Sequence, residues 1–93
     1  MATASARHIL VATEAQCNDI KQQIADGADF AEMAKAHSQC PSASQGGVLG
    51  EFKPGQMVAE FDQVVFNEVV GVVHGPVATQ FGFHLVEITE RSG

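Results

Sequence analysis

Two strand-length apolar runs stand at opposite ends of the chain, Arg7–Val11 (RHILV) and Phe83–Thr89 (FHLVEIT). In the first, both alternating sets can be buried: His8 and Leu10 on one parity, Ile9 and Val11 on the other. Successive side chains point to opposite faces of a strand, so a run of this kind needs cover on both sides. The first and last strands are the most apolar in the sequence, and they are expected to be central and adjacent. The chain has 93 residues, which is the size of one domain, residues 1–93. The segment between the two runs must therefore supply the layers that cover them.

That segment opens with two helices. Thr13 offers an N-cap with Gln16 in the capping-box position, and Cys17, Ile20 and Ile24 follow as one stripe. Gly27 is placed to end this helix. Asp29 caps the next one, with Glu32 as its box partner and Phe30, Met33, Ala34 and His37 on one face. Pro41 and the small residues up to Gly47 read as a loop with room for one helical turn. Val48–Phe52 is a short strand and Pro54-Gly55 a turn. Residues Val58 to Asn67 read as a helix with Phe61, Val64 and Val65 inward. Glu68–Gly75 is a loop whose Val69-Val70-Gly71-Val72-Val73 run also reads as a strand. Pro76–Ala78 is a brief edge strand, where proline is tolerated. The order is β-α-α-loop-β-α-β-β, with no repeats or linkers.

Composition narrows the function classes. Five Lys and Arg stand against eleven Asp and Glu, a formal charge of −6. An acidic surface repels nucleic acid and anionic lipid, so neither is an expected partner. No apolar run approaches the length of a membrane span and no apolar signal core precedes the first strand, so the expected location is cytoplasmic. Cys17 and Cys40 fit that compartment as free thiols. The sequence carries no phosphate loop, no nucleotide fingerprint and no paired general-acid carboxylates.

The candidate chemistry gathers in two glycine-led loops, GGVLGEFKPGQMVAEF (Gly46–Phe61) and TQFGFH (Thr79–His84). They bring Leu49, Met57, Phe61, Phe81 and Phe83 near a histidine, as a small apolar pocket with a few polar groups at its edge would. Met57 and Phe61 are four residues apart and share one side of a helix. Phe81 and Phe83 have parity opposite to His84, and Gly82 is a hinge that can turn Phe81 toward the pocket. The plain alternative for these side chains is core. His8 and His84, in neighbouring central strands, can hydrogen-bond to each other, since a neutral imidazole has one donor and one acceptor nitrogen. The plain alternative is two core histidines that stabilise the sheet. Cys40 is nucleophile by type or else a small buried residue, and His37 and His74 are assigned no role. Three other classes stay open. His8, Cys40 and His84 are metal ligands by type but lack ligand spacing. Cys40 with a histidine makes a hydrolase pair without an evident oxyanion hole. The same groove would also serve a non-catalytic peptide-binding or chaperone module.

Four segments in order, HILV (His8–Val11), SQCPS (Ser38–Ser42), GGVLGEFKPGQMVAEF and TQFGFH, resemble the parvulin family of peptidyl-prolyl cis/trans isomerases, in its minimal single-domain form. The resemblance runs from about His8 to Glu90. It implies an α+β fold: a four-stranded antiparallel sheet with about four helices on both faces, in the order β-α3-β-α-β2. It implies a proline pocket from Met57, Phe61 and, less specifically, Leu49, to which the Gly82 hinge adds Phe81 as a substrate-binding residue, and a polar group made of His8, His84, Thr79 and Cys40. The position of Cys40 is Asp in some members, which favours a polarising role over a covalent one. It also implies no cofactor and no metal, and a monomer acting on proline-containing peptides and unfolded or partly folded proteins. Phosphate-directed members carry a basic cluster between the first strand and first helix. Here that connection is Ala12-Thr13, followed by Glu14, so unphosphorylated substrates are expected.

Overall fold

The computed structural model describes residues 3–57 and 59–92. The elements are β1 (Thr3–Val11), α1 (Glu14–Ala25), α2 (Phe30–His37), a 3-10 turn (Pro41–Gln45), β2 (Val48–Phe52), α3 (Ala59–Asn67), β3 (Val73–Thr79) and β4 (Gly82–Ser92). All strand pairs are antiparallel, in the order β2-β1-β4-β3. The two terminal runs are indeed the central strands, with Ile9 opposite Leu85 and Leu10 opposite His84.

Each local boundary has a visible cause. Thr13 Oγ1 accepts from the N–H of Gln16 at 3.2 Å, and Asp29 Oδ2 from that of Glu32 at 3.1 Å. Both are side-chain caps on otherwise orphaned helix donors. At the end of α1 the Gly27 N–H reaches Ile24 O and the Ala28 N–H reaches Gln23 O, with Gly27 at φ 115°. That left-handed closure suits glycine.

The two parities of the central strands feed two separate cores. Ile9, Val11 and Leu85 pack with Cys17 and Ile20 of α1 and Phe30, Met33 and Ala34 of α2. On the other face Ala4, Ala6, Val86 and Ile88 pack with Phe52 of β2 and with Phe61 and Val65 of α3. A fully buried Leu or Ile side chain contributes about 1.5–3 kcal/mol, so each face is a substantial anchor for its helices.

Several sequence expectations need correction. Among the described residues there are three α-helices, and the third helix before β2 is only the short 3-10 turn at Pro41–Gln45. The expected helix start at Val58 lies outside the described residues, and α3 runs from Ala59, so Met57 precedes the helix and does not share a helical turn with Phe61. His37 is exposed at the end of α2, past the stripe that packs on the sheet. The third strand takes in only Val73 of the valine run, because Val69, Val70 and Val72 sit exposed on the loop that Gly71 N–H pins to Ile88 O at 2.8 Å.

Candidate active site

The strands of the face covered by α3 carry two imidazoles. His8 of β1 and His84 of β4 are each only 5% exposed. Their Nδ1 atoms lie 3.0 Å apart, with the rings near-parallel at 14° and centroids 5.2 Å apart. His84 Nε2 is 2.8 Å from Thr79 Oγ1, and the same oxygen accepts from the Phe81 N–H at 3.2 Å. A hydrogen-bonded chain thus runs from the tip of the β3–β4 hairpin through Thr79 and His84 to His8.

Burial pushes the His8 imidazole down to about 4, with the neighbouring His84 adding to the effect, and burial also lowers His84. Both rings are therefore neutral at pH 7. In a neutral pair one Nδ1 carries the proton and the other accepts it, so the tautomer of one ring fixes that of the other.

Phe61 stands edge-on to both rings, at centroid distances of 5.7 Å to His8 and 6.1 Å to His84. It is only 3% exposed. Leu49 and Met57 are half-buried and pack on the same cluster. Phe81 is 61% exposed at the hairpin tip, and its main-chain N–H, not its ring, joins the network. Phe83 packs against the core of α1 and α2 on the far side of the sheet.

Cys40 is half-buried and both cysteines are free thiols. Its segment is fastened to β1 past the end of β2. Ser38 Oγ accepts from the Leu10 N–H at 3.0 Å, and the Gln39 N–H donates to Leu10 O at 2.7 Å. No hydrogen bond joins the Cys40 thiol to His8 or His84 among the described residues. Nor, among them, does any group of three or more His, Cys, Asp and Glu side chains gather as metal ligands would.

Sequence reading missed Gly47. The His8 N–H donates to Gly47 O at 2.9 Å, and a Cβ built on Gly47 would fall 2.2 Å from His8 O. Only glycine lets β2 approach the backbone of His8 so closely. The paired glycines of Gly46-Gly47 were the available signal.

Residues 3–90 match the family described as Rotamase: PPIC-type PPIASE domain. The chain belongs to this family. It is a parvulin-type peptidyl-prolyl cis/trans isomerase domain, and its solved neighbours have the same architecture. The PrsA peptidylprolyl isomerase from Bacillus anthracis superposes with a TM-score of 0.95 at 34% identity, over 99% of this chain and 43% of that one. NmPin, the parvulin of Nitrosopumilus maritimus, superposes with a TM-score of 0.85 at 31% identity, over 95% and 96% of the two chains. In sequence the parvulin domain is 44% identical over 87 residues to the foldase protein PrsA of Geobacillus kaustophilus, covering 92% of this chain and 31% of that protein. It therefore spans about a third of the length of that relative.

Proposed function

We propose that residues 1–93 act as one catalytic domain that accelerates rotation about Xaa-Pro bonds in unphosphorylated peptides and partly folded proteins, without a covalent intermediate. The observation that supports it most is the neutral, buried His8–His84 pair, held by Thr79 and roofed by Phe61, with half-buried Leu49 and Met57 beside it. Resonance sets the amide barrier at ~18–20 kcal/mol, while the two X-Pro isomers differ by only ~0.5–1 kcal/mol. No bond need form or break. Planar amide resonance separates charge between nitrogen and oxygen, and the twisted state loses that separation. Apolar surroundings that exclude water therefore favour the twisted state relative to the planar one. In this reading Leu49, Met57 and Phe61 hold the proline ring, Phe81 extends that surface at the hairpin tip, and the imidazole pair is an uncharged floor. Cys40 polarises the amide from the edge. Lowering the barrier by ~5 kcal/mol accelerates exchange by roughly four powers of ten.

The preference for unphosphorylated substrates rests on how the cations are used. Arg7 pairs with Glu87, Lys21 and Arg91 donate to backbone carbonyls, and Lys35 lies 4.0 Å from Glu32. Lys53 is exposed and has no ion-pair partner among the described residues, whereas a phosphate dianion is held by several convergent donors. Exchange spectroscopy or a protease-coupled assay on Xaa-Pro peptides, with and without phosphate before the proline, tests the whole reading. We expect acceleration of the plain peptides and no gain from phosphate. A rate equal to the uncatalysed one across a varied panel would replace the enzyme with the second reading, a peptide-binding module using the same groove. The chaperone name of another relative, SurA of Cupriavidus metallidurans at 40% identity over 100 residues, is what favours that alternative. The free thiols support a cytoplasmic protein, checked by fractionation, and sedimentation checks the expected monomer. The charge of −6 argues against nucleic-acid or anionic-membrane partners, and no described helix is long and apolar enough to cross a membrane.

A further inference from the structure

Thr79 can reach His84 only because β3 is irregular. Val73, at the start of β3, packs on the α1/α2 face. Strict alternation would put residues 75, 77 and 79 on that same face. Yet Val77 packs in the α3 core and Thr79 bonds His84 Nε2 there. The reversal occurs between His74 and Val77: His74 pairs with Val86 and Val77 with His84, so Gly75 and Pro76 together oppose Leu85. This is a β-bulge, two residues against one, which re-aims everything after it. Without it the hydroxyl of Thr79 would point away from the imidazoles.

The bulge is held from both sides. A Cβ on Gly75 would fall 2.6 Å from His84 O and 3.1 Å from a methyl of Leu85, so only glycine packs there. On the other side Lys21 of α1 extends its ammonium to Gly75 O at 2.7 Å in a half-buried site. A charged donor on a carbonyl outside the regular ladder is among the stronger hydrogen bonds. We infer that Lys21 is a positioning residue for the isomerase site: from the opposite face of the sheet it pins the Gly75–Pro76 bulge and so fixes the register that presents Thr79 to His84.

The inference rests on the isomerase reading only for its kinetic arm, since imidazole spectra report on the histidines without turnover. Lys21→Met keeps the stem and removes the donor, Lys21→Gln keeps a shorter donor, and Lys21→Arg keeps the charge. Lys35→Met, an exposed lysine of α2, is the control for lost charge. We expect Lys21→Met to lower kcat about three- to tenfold with KM nearly unchanged, and to move the ring nitrogen resonances of His84 and His8. Lys21→Arg should restore both, and Lys35→Met should alter neither. In a Thr79→Val background, Lys21→Met should remove little further activity, because the two act through one contact. Folded Lys21→Met with wild-type imidazole resonances would overturn the inference whatever its kcat. Additive losses in the double variant would do the same. If Met, Gln and Arg at position 21 all fail to fold, Lys21 is a stability element and the positioning role is rejected.

Discussion

The two faces of the sheet are built from alternate residues of the same strands, and they differ in what covers them. On one face α1 and α2 seal Ile9, Val11 and Leu85 under aliphatic and aromatic side chains. On the other a single nine-residue helix, α3, covers the core, whose margin is half-buried at Leu49, Met57, Val64, Phe66 and Val77, as that of the first is at Ile24, Ala28, Val73 and Phe83. The buried imidazoles lie on this second face. The comparison teaches that the two cores are closed to a similar degree and differ in chemistry: the face under α3 carries the neutral imidazole pair of the proposed site, whereas the other is built from apolar side chains.

The largest effect should come from one phenylalanine on each face. Phe61 and Phe30 are both 3% exposed, so truncating either to Ala should cost about 3–5 kcal/mol. Corrected for the folded fraction, Phe61→Ala should lose most of its kcat/KM and Phe30→Ala almost none. Equal corrected losses, read from denaturation and kinetics on the same samples, would erase the distinction between the faces.

Next in size are two opposite pH limbs. His8 titrates near 4 in the folded chain, below its ordinary value, so the unfolded chain binds more protons between about 6.5 and 4. Stability is full above that window and falls by about 3 kcal/mol as pH drops through it. Burial raises the Cys17 thiol, on the other face, to about 11, so its contribution is full below about 9 and is lost as pH rises towards 11, again by about 3 kcal/mol. Urea midpoints against pH should show His8→Gln flattening only the acid limb and Cys17→Ala only the alkaline one. A variant that flattened the wrong limb would mean that the two cores are not separate.

A smaller loss is expected at Thr79. Thr79→Val removes the hydroxyl partner of a buried imidazole nitrogen, at a cost of about 1–3 kcal/mol, and Thr79→Ser should recover most of it. Thermal melts and kcat of the two variants measure this. Smallest of all should be Cys40→Asp, which keeps a polarising group and should stay within about threefold of wild type, with Cys40→Ala losing more. A folded but inactive Asp variant would revive a covalent role for the thiol.

The local rules wrote α1, α2 and the central strands plainly into the sequence. Thr13, Asp29 and Gly27 mark helix ends through contacts spanning three to five residues, and the parity of His8 and Leu10 against Ile9 and Val11 follows from the pleat. The histidine pair could be read for the same reason once β1 and β4 were expected to be neighbours. What resisted reading was set by distant chain. Val69 to Val73 is apolar enough for a strand, but Gly71 is pinned to Ile88 and His74 Nε2 to Val69 O, which keeps the segment a loop. Phe81 has the composition of a pocket residue, yet the hairpin turn points it to solvent. The register change at Gly75–Pro76 answers to Leu85 and Lys21, neither of which is near it in sequence.

Because β1 and β4 serve both cores, freeing either imidazole would require rupturing aliphatic packing behind it as well. His8 and His84 therefore share the opening free energy of the whole molecule, and their amides belong with the slowest to exchange with deuterium. The hairpin tip at Phe81 and the segment carrying Met57 have no such backing and can open locally. Any breathing that admits and releases a peptide is thereby confined to the rim, while the imidazole pair stays fixed for as long as the fold itself survives.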